Sequence, residues 1–176
     1  MAKTCENCGR RNVGTARAKR TCLWCKTFIS IHPPVKPGPV FWIPERISKK
    51  AYYLGIAREV AARSTCLRRK YGAVIVKADE IIATGYNGAP RGEPNCCDTG
   101  ECWRAANGIP HGQQYEKCVS VHAEMNAIIS AARRDMIGST LYLVGMEDEK
   151  LIDAQPCDIC RRLIANAGIE RVVTHG

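Results

Sequence analysis

Apolar positions change their period along the chain, and each change marks an element. Ser48 is a favourable N-cap, and Tyr52, Ile56, Val60 and Ala61 then recur at helical spacing. This predicts a helix running to about residue 63 with one apolar face. Gly72-Ala73-Val74-Ile75-Val76 is a short continuous apolar run, the pattern of a buried strand. Residues 80–86 read as a second strand, joined to the first through a tight turn near Ala78-Asp79 and ended by Asn87-Gly88. A helix is predicted from His122 to about residue 134, a third strand over 140–144, a helix over 157–167 stopped by Gly168, and a fourth strand over 169–173. Strand–helix–strand–helix–strand over the second half predicts an α/β fold with a partly parallel sheet. Residues 87–120 form a long insertion rich in Gly, Pro and Cys, and a loop of that length in a compact domain is usually functional or pinned.

The first 45 residues have a different grammar. Cys5-x-x-Cys8 and Cys22-x-x-Cys25, with 13 residues between the pairs, predict a zinc ribbon or paired knuckles over 1–30. Such a piece has too little core to fold without its metal. Its Lys3, Arg10, Arg11, Arg17, Lys19, Arg20 and Lys26 face only Glu6, and Trp24 and Phe28 offer flat surfaces. This is either a solvated basic face over a tiny core or a grip on nucleic acid. Residues 31–45, with five prolines, read as a stiff linker to a third region, 46–176.

Composition narrows the class. A chain of 176 residues, 45% hydrophobic, has enough length for one ordinary core. No apolar run approaches the roughly 20 residues of a membrane span, and no secretory n- and h-region opens the chain. A cytoplasmic location is expected, and there eleven cysteines mean metal more often than disulfides. They sort into Cys5, Cys8, Cys22 and Cys25; then Cys66, Cys96, Cys97, Cys102 and Cys118; then Cys157 and Cys160. Two four-thiolate zinc sites would lower the formal +9 to about +5, so the chain stays basic and favours anionic partners.

The chemistry concentrates in His122-Ala123-Glu124 and Pro156-Cys157-Asp158-Ile159-Cys160. H-x-E followed by P-C-x-x-C is the signature of zinc-dependent nucleobase deaminases. A catalytic zinc takes three protein ligands and leaves one position for water. His122, Cys157 and Cys160 supply the three, and Glu124 is placed to move protons without being a ligand. A structural zinc site is the bland alternative.

With Arg63-Ser64-Thr65-Cys66, Gly72 to Val76, Gly85-Tyr86-Asn87-Gly88-Ala89-Pro90, His122 to Ile128 and Pro156-Cys157-x-x-Cys160 in order, the chain resembles the deoxycytidylate (dCMP) deaminase family of the cytidine deaminase superfamily over about 46–174. The resemblance implies a three-layer α/β/α sandwich with a mixed sheet. It implies hydrolytic deamination of dCMP to dUMP and ammonia, with a zinc-activated water attacking C4 and Glu124 carrying protons. It implies a second, structural zinc on Cys66, Cys96, Cys102 and Cys118, with Cys97 or His111 as substitutes. It implies Asn87 at the sugar and the Ala123 N–H at the base. For the phosphate, Arg91 and the Arg68-Arg69-Lys70 run are candidates, and Arg133 is a candidate for an interface or effector site. Oligomers, often hexamers, control by dCTP and dTTP, and Mg accompanying a nucleotide effector are also implied. The ribbon lies outside the usual family pattern, and relatives usually continue past the fourth strand. Two further readings compete: a deaminase of tRNA or single-stranded DNA that uses residues 1–30, and a non-enzymatic nucleic-acid-binding module that kept a zinc fold.

Overall fold

The computed structural model describes residues 3–4, 11–12, 45–110 and 112–175. The chain divides into two units, Met1–Glu45 and Arg46–Gly176. In the first, β1 (Lys3–Thr4) pairs antiparallel with β2 (Arg11–Asn12). The expected ribbon ligands Cys5, Cys8, Cys22 and Cys25, nearly all of the linker, and His111 lie outside the described residues.

The second unit is built on β3 (Lys70–Lys77). Five successive residues of this strand, Gly72 to Val76, are buried, so both faces of the strand are covered. β4 (Glu80–Tyr86) and β5 (Thr140–Glu147) flank it, both antiparallel. β4 and β5 therefore run parallel to each other. Along the far side of β5 lie β6 (Lys150–Ile152), antiparallel, and β7 (Arg171–Thr174), parallel, at opposite ends of the strand. The sheet is mixed, as expected.

Helices cover both faces. α1 (Lys49–Ala62), capped by Ser48, packs Tyr53, Leu54, Ala57 and Ala61 on Val74, Val76, Val144 and Met146. On the other face α4 (Ala123–Ile129) and α6 (Asp158–Ala167) set Ala123, Ala127, Ile164 and Ala167 on Ala73, Ile75, Leu141 and Leu143. These are the three layers expected. The insertion carries two short helices, α2 (Cys96–Thr99) and α3 (Trp103–Ala106).

Two glycines set how closely the layers approach. A Cβ on Gly72 would run into Ala57 O and Ala61 N of α1, and one on Gly85 into Ala123 O and Ala127 N of α4. Each helix rests its backbone on strand backbone, a contact only glycine permits.

Three expectations need correction. The buried face of α1 runs through Tyr53, Leu54, Ala57 and Ala61, whereas Tyr52 is 48% exposed. Small residues face the sheet because the helix seats on Gly72. The helix after His122 does not run to residue 134: α4 ends at Ile129 and a separate α5 (Arg133–Met136) follows. At the break the Ser130 hydroxyl donates to the Asn126 carbonyl at 2.7 Å, a bond that competes with helix continuation. Arg133 thus sits on α5, where its Nε donates to the Asn166 carbonyl at 3.0 Å. Third, the hairpin of β5 and β6 was not expected. Its turn residues Asp148 and Glu149 both take positive φ without the Asn-Gly signal that usually marks such turns.

The turn between β3 and β4 is tied to α1. Ala78 and Asp79 have φ of 50° and 70°. The Tyr53 hydroxyl donates to Asp79 Oδ1 at 2.6 Å, and Lys49 Nζ lies 2.6 Å from Asp79 Oδ2. The Lys49 ammonium and then the Tyr53 hydroxyl hold the Asp79 carboxyl below its ordinary value. The same hydroxyl bond, with burial, pushes the Tyr53 phenol up to about 12.

Two outcomes follow. Gly85→Ala drives a methyl into α4 backbone and costs about 1–3 kcal/mol. Gly55→Ala, at an open position inside α1, gains about 0.5–1 kcal/mol. Urea unfolding of both variants checks the opposite signs. The Asp79 contribution is present above the unfolded aspartate value of about 3.9 and is lost as pH falls through the lower folded value. Unfolding midpoints taken from pH 5 to pH 3 therefore fall less steeply for Asp79→Asn than for the unaltered chain.

Candidate metal centre and active site

β4 and β5 run parallel, so both deliver their C-terminal ends to one edge of the sheet, where β3 begins. Open α/β sheets place ligands at that edge. Asn87 follows β4 there, beside Arg69 and Tyr71. Its Oδ1 accepts from Tyr71 N at 2.7 Å and Ser64 Oγ at 2.6 Å, and its Nδ2 donates to Arg69 O at 2.9 Å. Thr65 Oγ1 lies 2.9 Å from Asn95 Oδ1. The Ser64-Thr65 pair thus fastens the end of β4 and the start of the insertion. Gly88 and Val121 form an isolated antiparallel bridge, with N–H to O distances of 3.2 and 2.8 Å, closing the insertion at its base. His122 comes next.

His122 is the N-cap of α4 and Cys157 the N-cap of α6. Cys160, three residues on, shares the face of Cys157. His122 Nδ1 lies 3.5 Å from Cys157 Sγ and 3.3 Å from Cys160 Sγ. All three donor atoms lie within 4.8 Å of one another, and no other group of three His, Cys, Asp or Glu does so among the described residues. The donors fit zinc. A tetrahedral ion with Zn–N near 2.0 Å and Zn–S near 2.3 Å holds N and S roughly 3.5 Å apart. Nδ1 is the nitrogen turned to the sulfurs. The N-termini of α4 and α6 converge here. Burial and the neighbouring Glu124 and Cys157 push the Cys160 thiol up, and a dication held here would favour its thiolate.

Glu124 occupies the first turn of α4 and is 5% exposed. Burial raises its carboxyl, and its own backbone N–H and His122 pull it partly back. It lines a cavity of about 250 Å³ together with Asn87, Ala123, His122 and Cys157. Ala123 is fully buried, and as the first residue of α4 its N–H has no partner within the helix. Asp153 and Gln155, both exposed, stand on the same wall.

The expected phosphate residue Arg91 is exposed and is not part of this lining. Arg68 Nη1 donates to Ile109 O at 3.1 Å, and Lys70 pairs with Glu149 at 3.0 Å. The cations that do line the cavity are Arg69 and Arg104. Arg104, Tyr71 and Tyr115 were not singled out from the sequence, where each is an ordinary residue of a strand start or an insertion.

Cys96 and Cys102 are buried, while Cys66 and Cys118 are half-buried and reach the cavity wall. Burial, and then Cys66, Cys102 and Cys118, push the Cys96 thiol up, so these four are neighbours. No three of them gather to the spacing found at His122. Cys97 is exposed, with Sγ 3.5 Å from Asp98 Oδ1. The structure thus separates the vicinal pair that the sequence left open.

Fold and donor set together make an α/β/α sandwich that carries a three-donor His-Cys-Cys candidate metal site between two helix N-termini. The family model for the cytidine and deoxycytidylate deaminase zinc-binding region matches residues 47–176. The chain belongs to that family. It is 45% identical to a deoxycytidylate deaminase of Mycobacterium phage D29, across 69% of this chain and 90% of that one. It is 37% identical to the deoxycytidylate deaminase of Schizosaccharomyces pombe, across 74% of this chain but only 38% of that one. Among solved structures, the dCMP deaminase of cyanophage S-TIM5 in complex with dCMP and dUMP superposes with a TM-score of 0.53 at 29% identity, covering 73% of this chain and 83% of that one. No helix among the described residues is long and apolar enough to cross a membrane.

The separation of Cys96 from Cys97 has a measurable consequence. Cys96→Ser places a hydroxyl in a buried thiol cluster and costs about 1–3 kcal/mol. Cys97→Ser stays within about 0.5 kcal/mol of the parent. Thermal denaturation reads both, and brief alkylation of the native protein labels Cys97 before Cys96.

Proposed function

We propose that this chain removes the 4-amino group of dCMP by hydrolysis, releasing dUMP and ammonia. The observation that carries the reading is Glu124, a buried carboxyl in the first turn of the helix that His122 caps, in a cavity shared with Cys157. His122 Nδ1, Cys157 Sγ and Cys160 Sγ would hold a zinc ion. When bound, that ion lowers the pKa of a water from about 16 to roughly 7.

The remaining steps belong to the chain's own groups. Glu124 takes a proton from the attacking water, passes it to N3 of the cytosine, and delivers the second proton to the departing amine. Burial raises its carboxyl, the direction that general acid–base work asks of a carboxylate. The Ala123 N–H, unpaired within the helix, holds the oxygen edge of the base. Asn87 has spent Oδ1 and one Nδ2 hydrogen inside the fold, so one N–H remains for a sugar hydroxyl. It donates to that hydroxyl and does not accept from it.

In this reading Cys66, Cys96, Cys102 and Cys118 close on a second zinc that stiffens the insertion, and residues 1–30 hold a third on Cys5, Cys8, Cys22 and Cys25. The linker 31–45 joins that ribbon to a catalytic region over 46–176. Control by dCTP and dTTP with Mg, and assembly into hexamers, belong to the same proposal. Nothing among the described residues favours a polynucleotide substrate over a free nucleotide.

The test is Glu124→Gln. It keeps the shape of the side chain and leaves the donors alone, so zinc content stays unchanged while kcat for dCMP falls by roughly 100- to 10,000-fold. Ammonia release and elemental analysis on one sample check this. A variant that kept most of the parent rate would remove Glu124 from the chemistry.

A further inference from the structure

Arg104 is a buried cation that no carboxylate among the described residues neutralises. It is 6% exposed, on α3 inside the insertion. Its Nη2 donates to the Pro110 carbonyl at 2.7 Å and the Gln113 carbonyl at 2.6 Å. Its Nε is buried without a partner. No carboxylate lies within ion-pair distance among the described residues. Carbonyls orient a guanidinium but leave its charge uncompensated, and a buried charge without a counter-charge is costly. Such a residue implies an anion that is present when the protein works.

The position of the charge says where that anion binds. Arg104 lines the same cavity as Glu124 and His122. Its guanidinium carbon stands 4.7 Å over the Tyr115 ring, and the same ring meets the His122 imidazole edge-on at 5.1 Å. The cation and the metal-binding imidazole are one aromatic ring apart, across a pocket that holds a nucleobase at its metal end. The other arginine on the wall is already satisfied: Arg69 Nη2 lies 2.9 Å from Glu147 Oε2.

We infer that Arg104 receives the 5′-phosphate of the substrate and sets the preference for a nucleotide over its nucleoside. The inference rests on the reading that the substrate is a deoxynucleoside monophosphate. Two carbonyls fix the plane of the fork before the ligand arrives, so little side-chain freedom is lost on binding. The Tyr115 face supports the cation from below.

A rival anion exists in the cysteine cluster. A zinc on Cys66, Cys96, Cys102 and Cys118 would carry a net −2 and would make Arg104 a brace for the insertion. The experiment separates the two. Activity of the full chain on dCMP and on deoxycytidine is measured for the parent, Arg104→Met and Arg104→Lys, with zinc content determined on each sample. Phosphate binding predicts that kcat/KM for dCMP drops by roughly 10- to 100-fold in Arg104→Met, mainly through KM. The dCMP to deoxycytidine ratio then collapses by the same factor, the zinc content holds, and Arg104→Lys recovers part of the ratio. An unchanged ratio in Arg104→Met overturns the inference, whether both activities fall together with zinc or neither falls. A parent that fails to deaminate dCMP removes the proposed function instead. Direct binding of dUMP against deoxyuridine to the same three proteins then decides Arg104 alone, with the nucleotide advantage either lost in Arg104→Met or retained.

Discussion

Two helices can present a metal site between their first turns only if both are held rigidly on the same sheet face. For α4 that hold is the contact with Gly85, where the backbone around Ala123 and Ala127 rests on β4 without an intervening side chain. That seat fixes the height of His122 above the sheet. Cys157 then caps α6 on the same face, and the sulfurs of Cys157 and Cys160 arrive within 3.5 Å of the imidazole. Burial of Glu124 follows, since a residue in the first turn of a helix seated this low has no route to bulk water except through the cavity.

Much of this was legible in the sequence for a physical reason. Candidate donors on short spacings encode local geometry: Cys157 and Cys160 share a helical face, and His122 and Glu124 occupy a cap and a first turn. The apolar run at Gly72 to Val76 specified a buried strand, while the three layers were implied by the family resemblance. Periodicity misled where small residues do the packing. On α1 the expected stripe of Tyr52, Ile56, Val60 and Ala61 held for the buried Ala61 and the partly buried Ile56 and Val60, but Tyr52 is exposed and the stripe is centred on Tyr53, Leu54 and Ala57. The β5–β6 hairpin was invisible because Asp148 and Glu149 adopt positive φ with no glycine or asparagine to announce it.

Side-chain roles within the insertion were the least legible. Cys96 and Cys97 are equivalent as letters, and only α2 decides which points inward. Arg104 reads as one more charge in a polar loop, because its environment is made by Pro110 and Gln113 folding back on it. Arg91 had the better sequence argument, being next to the G-Y-N-G turn, and it faces solvent. Proximity in sequence to a motif is a poor guide where the chain makes a sharp turn.

The Gly88–Val121 bridge carries a consequence for how such a chain can change. It pins both ends of the insertion to each other immediately before His122. Residues added to or removed from the excursion between them alter the roof of the pocket without lengthening the path from β4 to α4. The length of that roof can then vary while the backbone carrying His122 and Glu124 keeps its place, so long as the Tyr115 ring that packs on the imidazole is retained.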